Sequence, residues 1–218
     1  MNWDREHEMM IEFRRKAGAL VPRPHESWWD WAFLARHHGL PSRLLDWTEY
    51  ALFGLFFAVA EGNTKEPACV WILDPYWLNG EVGQIGHVVV VPFREDDAEP
   101  VSRAYLRPFI DGRTPDPEMP IAMRPPHVSP RIVAQNGTFT MFGNNHRSLL
   151  MHGFQANEAA EKTFGKWSGP LQLLRIPRAN VDGIRRELVR AGVTKFSAFP
   201  DLDGLAWDIG QAQRDRES

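Results

Sequence analysis

Apolar positions recur along this chain first at helical and then at strand spacing. Met9, Met10, Phe13 and Ala17 share one face of residues 6–19, with Arg14, Arg15 and Lys16 between them. This predicts a helix, ended by Pro22 and Pro24. Trp28, Trp31, Ala32 and Ala35 repeat the pattern over residues 26–38. Gly39 fits the position after the last helical residue, and Pro41 forbids continuation. Residues 42–47 read as a short extended piece. Thr48 reads as the N-cap of an apolar helix over 49–61, carried by Leu52, Leu55, Phe56 and Val59.

Strand signals follow. Residues 68–73 (ACVWIL) predict a strand, 74–86 a loop with a turn, and 87–93 (HVVVVPF) another strand. Residues 94–129 hold seven of the seventeen prolines and few sustained patterns, which predicts a long irregular insertion at the periphery. Residues 131–134 and 138–142 read as strands joined by Gln135-Asn136-Gly137, because Asn-Gly is a strong hairpin signal. Residues 144–168 read as polar loop, with a helical turn at 158–162. A strand is expected at 171–176 and a helix at 183–191, capped by Asn180 or Asp182 and closed by Gly192. A last strand at 195–199 and a short helix at 205–211 complete the pattern. Short strands out of strict alternation with helices predict an α+β fold: a small mixed or antiparallel sheet with flanking helices. One domain over 1–211 and a disordered tail over 212–218 are the expected organisation.

Composition narrows the classes. The chain has 218 residues, 43% of them apolar, enough for a real core. The net charge of −3 gives no bulk attraction to nucleic acid or anionic membrane. A single cysteine, Cys69, leaves no disulfide framework and no Cys-rich metal site, and it fits a cytoplasmic protein. No apolar run approaches a membrane span, and the charged start MNWDREHEMM is unlike a signal peptide. Nine tryptophans and thirteen phenylalanines suit a core, with a share left for a planar ligand.

The chemistry concentrates where polar residues interrupt apolar runs. Arg43, Asp46 and Thr48 sit among leucines and aromatics, and such groups need partners when buried. Asp46 either orients a ribose hydroxyl or a nucleophile, or it pairs with Arg43 or with backbone N–H groups of the next helix. Arg43 either grips a pyrophosphate or bridges to Asp46. Trp47 offers a stacking face, and Thr48 is most simply a cap. His37 and His38 end a helix, where a cation is favourable, and no metal-ligand spacing joins them to Cys69. Gln135 either hydrogen-bonds a ligand or its own turn, and Arg131 and Phe139 either clamp and stack a nucleotide or pack. Asp201-Leu202-Asp203-Gly204 reads as a helix cap rather than a Ca²⁺ loop.

HHGLPSRLLDWTEYALFGLFFAV, residues 37–59, closely resembles the hallmark of the FRG domain, whose members read approximately QHYGLPTRLLDWT followed by Asn-Pro and ALYFA. SPRIVAQNGTFTMFG and FPDLDGLAWDI resemble two further elements of that family, in the same order and spacing. The name-giving Phe-Arg-Gly triplet has no counterpart: Phe13-Arg14-Arg15 lies on a predicted helix and matches a later part of the pattern. The FRG pattern in turn loosely resembles the ADP-ribosyltransferase layout. That resemblance implies an NAD-using transferase or NAD hydrolase, with NAD as co-substrate and no tightly bound cofactor. It implies Arg43, Asp46 and Gln135 as catalytic residues. His38, Trp47, Thr48, Arg131 and Phe139 would bind the nucleotide. Gln135 departs from the acid such transferases carry there, and so removes a charge that would stabilise a ribosyl cation. Toxin or anti-phage roles, a macromolecular target and a neutralising antitoxin-like partner follow from the same resemblance. The alternative is a non-catalytic module that binds a nucleotide or a protein.

Overall fold

The computed structural model describes residues 2–21, 27–60, 67–86, 88–91, 100–127, 129–145, 147–151 and 171–217. The first elements are helices α1 (Trp3–Ala17) and α2 (Trp28–His37), strand β1 (Leu44–Thr48), helix α3 (Ala51–Ala60) and strand β2 (Ala68–Leu73). A short helix α4 (Pro75–Trp77) runs into a π turn, Leu78–Val82, before strand β3 (Val89–Val90). Helix α5 (Pro100–Asp111), strand β4 (Ile121–Arg124), helix α6 (Pro130–Gln135) and strand β5 (Gly137–Met141) come next. The chain closes with strand β6 (Leu171–Ile176) and helices α7 (Arg178–Arg190), α8 (Lys195–Ala198) and α9 (Leu202–Glu217).

These elements form two compact units where the sequence predicts one domain. Unit 1 comprises 1–46, 74–126 and 139–170; unit 2 comprises 47–73, 127–138 and 171–218. The fold class is α+β, with small sheets and flanking helices, as the mixed patterning predicts.

Unit 1 is built on a sheet of order β1-β5-β4-β3. β4 pairs antiparallel with β5, Ile121 opposite Met141 and Met123 opposite Phe139, and parallel with β3. Those four side chains share one sheet face, as residues two apart must. They join one core cluster with Met10 of α1, Trp29, Trp31 and Phe33 of α2, and Tyr105, Leu106 and Phe109 of α5. Phe33 stacks on Trp29 at 5.5 Å and on Phe139 at 4.9 Å between ring centroids, an offset aromatic column. On the surface of α1, Arg15 and Lys16 bridge Glu12 at 2.7 and 2.8 Å. The Arg15 hydrogen bond first, then that of Lys16, holds the Glu12 carboxyl at about 2, below its ordinary 4.5. A depressed carboxyl contributes stability above pH 4.5 and loses it as pH falls through about 2. Because Glu12 is half-exposed and both its partners are exposed, solvent screens the pairs, and Glu12→Gln is expected to flatten that acid limb only slightly in melts between pH 5 and 2.

Unit 2 carries a two-stranded antiparallel sheet, β2 against β6, with Ala68 opposite Ile176 and Leu73 opposite Leu171. Its core gathers Val59 of α3, Ile176 of β6, Val181 and Leu188 of α7, and Val193. Arg185 ties α7 to the end of α3: its Nε donates to the Val59 carbonyl at 2.5 Å. A cation at a helix C-terminus satisfies an otherwise orphan carbonyl.

Several expectations are corrected. Residues 94–129 are no irregular insertion where they are described. They hold α5 and β4, and Tyr105, Leu106, Phe109, Ile121 and Met123 are all 2% exposed or less. Three of the prolines punctuate elements instead of excluding them: Pro100 opens α5, and Pro120 and Pro125 bound β4, while Pro108 is carried buried inside α5. Ile121, Ala122 and Met123 are all buried, so β4 shows no alternation for a sequence reading to find. The expected hairpin at 131–142 is a helix, α6, followed by a strand. Ser129 caps it, Pro130 takes the first helical position, and Asn136 closes it in the left-handed region at φ 44°. Asn-Gly serves a helix C-terminus as readily as a hairpin, because both need positive φ.

Of the strand expected at 195–199, Lys195–Ala198 are helical, because Thr194 and Ser197 form a reciprocal capping box. Residues 74–86 hold α4 and the π turn rather than a loop, with Asp74 Oδ1 accepting from Tyr76 and Trp77 N–H. α7 starts at Arg178, ahead of both residues expected to cap it, and α9 continues to Glu217 through most of the expected disordered tail. Of the strand expected at 87–93, only Val89–Val90 is strand, and 87, 92 and 93 lie outside the described residues. The helical turn expected at 158–162 also lies outside them.

Candidate functional site

The hallmark arginine lies inside unit 1. Arg43 lies in a bend just before β1, whose first residue, Leu44, is buried in the core. Its guanidinium Nε donates to Glu6 Oε2 at 2.8 Å, Nη1 to the Phe142 carbonyl at 2.7 Å and Nη2 to the Tyr105 carbonyl at 2.7 Å. Its backbone N–H donates to Glu6 Oε1 at 3.2 Å. The Arg43 and Glu6 side chains are 2% and 1% exposed. Burial pulls the Arg43 guanidinium below its ordinary value, while the Glu6 carboxylate opposes the shift. The Tyr105 hydroxyl donates to the Met119 carbonyl at 2.5 Å, and burial raises its pKa. The arginine therefore joins α1, α5 and the end of β5.

Its partner is Glu6, which the sequence reading did not single out. A signal was present: Glu6, Met10, Phe13 and Ala17 stand three and four residues apart, so a carboxylate heads an apolar stripe. Asp46 pairs elsewhere. Arg36 of α2 reaches its Oδ2 through Nε at 2.7 Å and Nη2 at 2.5 Å, in a pair whose side chains are 28% and 54% exposed. His38 is exposed, and its ring sits edge-on to His37 at 4.8 Å. Phe139 is 6% exposed inside the aromatic column.

Unit 2 brings three motif segments together. Thr48 Oγ1 donates to the Gln135 carbonyl at 2.6 Å and accepts from Tyr50 N–H at 3.0 Å, so it closes a turn ahead of α3 rather than capping it directly. Glu49 N–H donates to the Asn136 carbonyl at 3.1 Å, and Asn136 Nδ2 returns to Glu49 Oε2 at 2.7 Å. Gln135 Nε2 donates to the Ala198 carbonyl at 2.8 Å. The Arg131 guanidinium lies 4.6 Å from the centroid of the Phe199 ring. The end of RLLDWTE, the QNG element and the start of FPDLDG thus meet through α6. Trp47 is half-buried, and its Nε1 is buried without a partner among the described residues.

The carboxylates of the last motif act structurally. Asp201 Oδ1 accepts from Gly204 N–H at 2.7 Å and so caps α9. Asp208 accepts from the N–H groups of Lys195 and Phe196 at 3.2 and 3.1 Å and so caps α8. Gly204 allows the two helices this approach, since a Cβ there would fall on the Phe199 carbonyl oxygen. Gly204→Ala is expected to cost about 1–3 kcal/mol by overpacking, read as a lower midpoint in urea.

This lattice of carboxylates, amides and backbone groups coincides with a family signature at its N-terminal end. The family model of the FRG domain matches residues 1–67. These residues are FRG-domain sequence. No curated protein matches the chain, and no solved structure does. The FRG-matching residues include α1, α2, β1 and α3, and therefore Glu6, Arg36, Arg43, Asp46, Trp47, Thr48 and Glu49. The segments around Gln135 and Phe199 lie outside the match and retain the resemblance described above. Among the described residues, no helix is long and apolar enough to cross a membrane.

Proposed function

We propose that this FRG-domain chain is a non-catalytic binding module for a protein partner. One observation carries the reading: Arg43, the residue a transferase would need on its pyrophosphate, gives Nε, Nη1 and Nη2 to intramolecular acceptors and is 5% exposed. The other assigned groups point the same way. Phe139 is in a core stack, the Gln135 amide is engaged by the Ala198 carbonyl, and Asp46 is neutralised by Arg36. Large apolar side chains at the surface of unit 2, with Leu202 82% and Ile209 64% exposed, suit a protein contact better than a phosphate-bearing ligand.

The catalytic alternative remains an NAD-splitting transferase or hydrolase, with the toxin or anti-phage role that such chemistry would serve. The experiment is paired. Purified protein is incubated with NAD⁺ and the nicotinamide released is measured, while thermal melts are recorded with NAD⁺ and with ADP-ribose. The module reading expects no release above buffer and no shift in melting temperature. Nicotinamide release that disappears in Asp46→Asn would overturn it and restore the enzyme.

A further inference from the structure

Glu6 meets Arg43 much as a free carboxylate meets a receptor. Its two oxygens are taken separately, one by the guanidinium Nε at 2.8 Å and one by the backbone N–H of the same residue at 3.2 Å. We propose that the Arg43 side chain and its own backbone N–H form a carboxylate-binding site, which the chain fills in cis with Glu6. This goes beyond the binding-module reading and does not depend on it.

The donors are held without help from the carboxylate. The Phe142 and Tyr105 carbonyls each accept from the guanidinium at 2.7 Å and fix its plane. The rings of Trp3 and Phe109 lie 5.5 and 5.3 Å from its central carbon and favour a cation there. The Arg43 backbone is held from the other side as well, because its carbonyl accepts from Phe142 N–H at 3.2 Å. Removing the Glu6 side chain therefore leaves two aimed donors and a buried positive charge with no counter-ion. Such a charge is costly, and a small anion of matching shape relieves the cost. The matching class is a monocarboxylate, because two donors converge on two oxygens of one planar group. In the native chain, α1 supplies that group.

Chemical rescue tests this in the full chain. Glu6→Ala is melted in formate, acetate, phosphate and chloride at equal ionic strength. Formate is expected to raise the melting temperature by about 3–8 °C over chloride and to saturate, the size expected for a ligand well above its Kd. Glu6→Gln, whose amide fills the space, and the wild type are expected to respond to formate as they do to chloride. If Glu6→Ala has no cooperative melt in chloride, the readout is whether refolding in formate restores one. Equal shifts in formate and chloride, an equal formate shift in Glu6→Gln, a phosphate shift exceeding that of formate, or refolding that fails in formate would each overturn the proposal.

Discussion

Arg43→Met is expected to destabilise the protein by about 3–5 kcal/mol, because it leaves the Glu6 carboxylate buried without its counter-charge. The wild-type pair has no solvent to fall back on, with both side chains 2% exposed or less. The Tyr105 and Phe142 carbonyls lose their guanidinium donors in the same substitution, which adds to the loss. At this chain length the change lowers the melting temperature by roughly 6–20 °C. Glu6→Leu combined with Arg43→Met removes both charges, and most of the loss is expected to return, since an apolar pair replaces a buried ion pair at little cost. Thermal melts of the two single variants and the double variant measure the coupling. A double variant no more stable than Arg43→Met alone would mean that the cost lies in packing rather than in the orphaned charge.

Asn79→Ala is the second substitution with a large expected effect. Asn79 is fully buried in the π turn after α4. Its side chain imitates a strand: Nδ2 donates to the Ala122 carbonyl at 2.9 Å, and Oδ1 accepts from Ala122 N–H at 2.6 Å. β3 pairs with β4 only at Met123 and Arg124, so the side chain completes the ladder one residue earlier. Removing it leaves a donor and an acceptor of a central strand unpaired, at about 1–3 kcal/mol each. A loss of about 2–5 kcal/mol is expected in urea unfolding, with faster amide exchange at Ala122. Asn79→Asp keeps the acceptor but sets a buried, unpaired carboxylate oxygen against the Ala122 carbonyl, so it is expected to destabilise at least as much as Asn79→Ala at neutral pH.

Asn79 also illustrates why the sequence suggests a loop over 74–86. Nothing in PYWLNGEV marks one asparagine as a substitute strand, because the signal lies in the geometry of β4, more than forty residues later. α5 and β4 were missed for a related reason. Seven prolines suggest irregularity when counted along the chain. In space, Pro100, Pro120 and Pro125 stand at the ends of elements, where a missing N–H costs little.

What the sequence by itself determined is the set of locally encoded elements and the segments where polar residues gather. α1, α2, β2 and β6 lie within about three residues of their expected bounds, because their periodicity and their Gly and Pro stops are local. The FRG signature was equally legible, since it is a contiguous string. The partners of its polar residues were not. The sequence leaves Arg43 to a pyrophosphate or to Asp46, three residues away, yet it binds Glu6 on α1 while Asp46 binds Arg36 on α2. Arg43 lies in the bend before β1 and Asp46 inside the strand, so neighbours in sequence part company in space. Tertiary structure alone decided which carboxylate meets the buried arginine. A charge taken out of water needs a counter-charge and acceptors converging from several elements, and only packing brings those together.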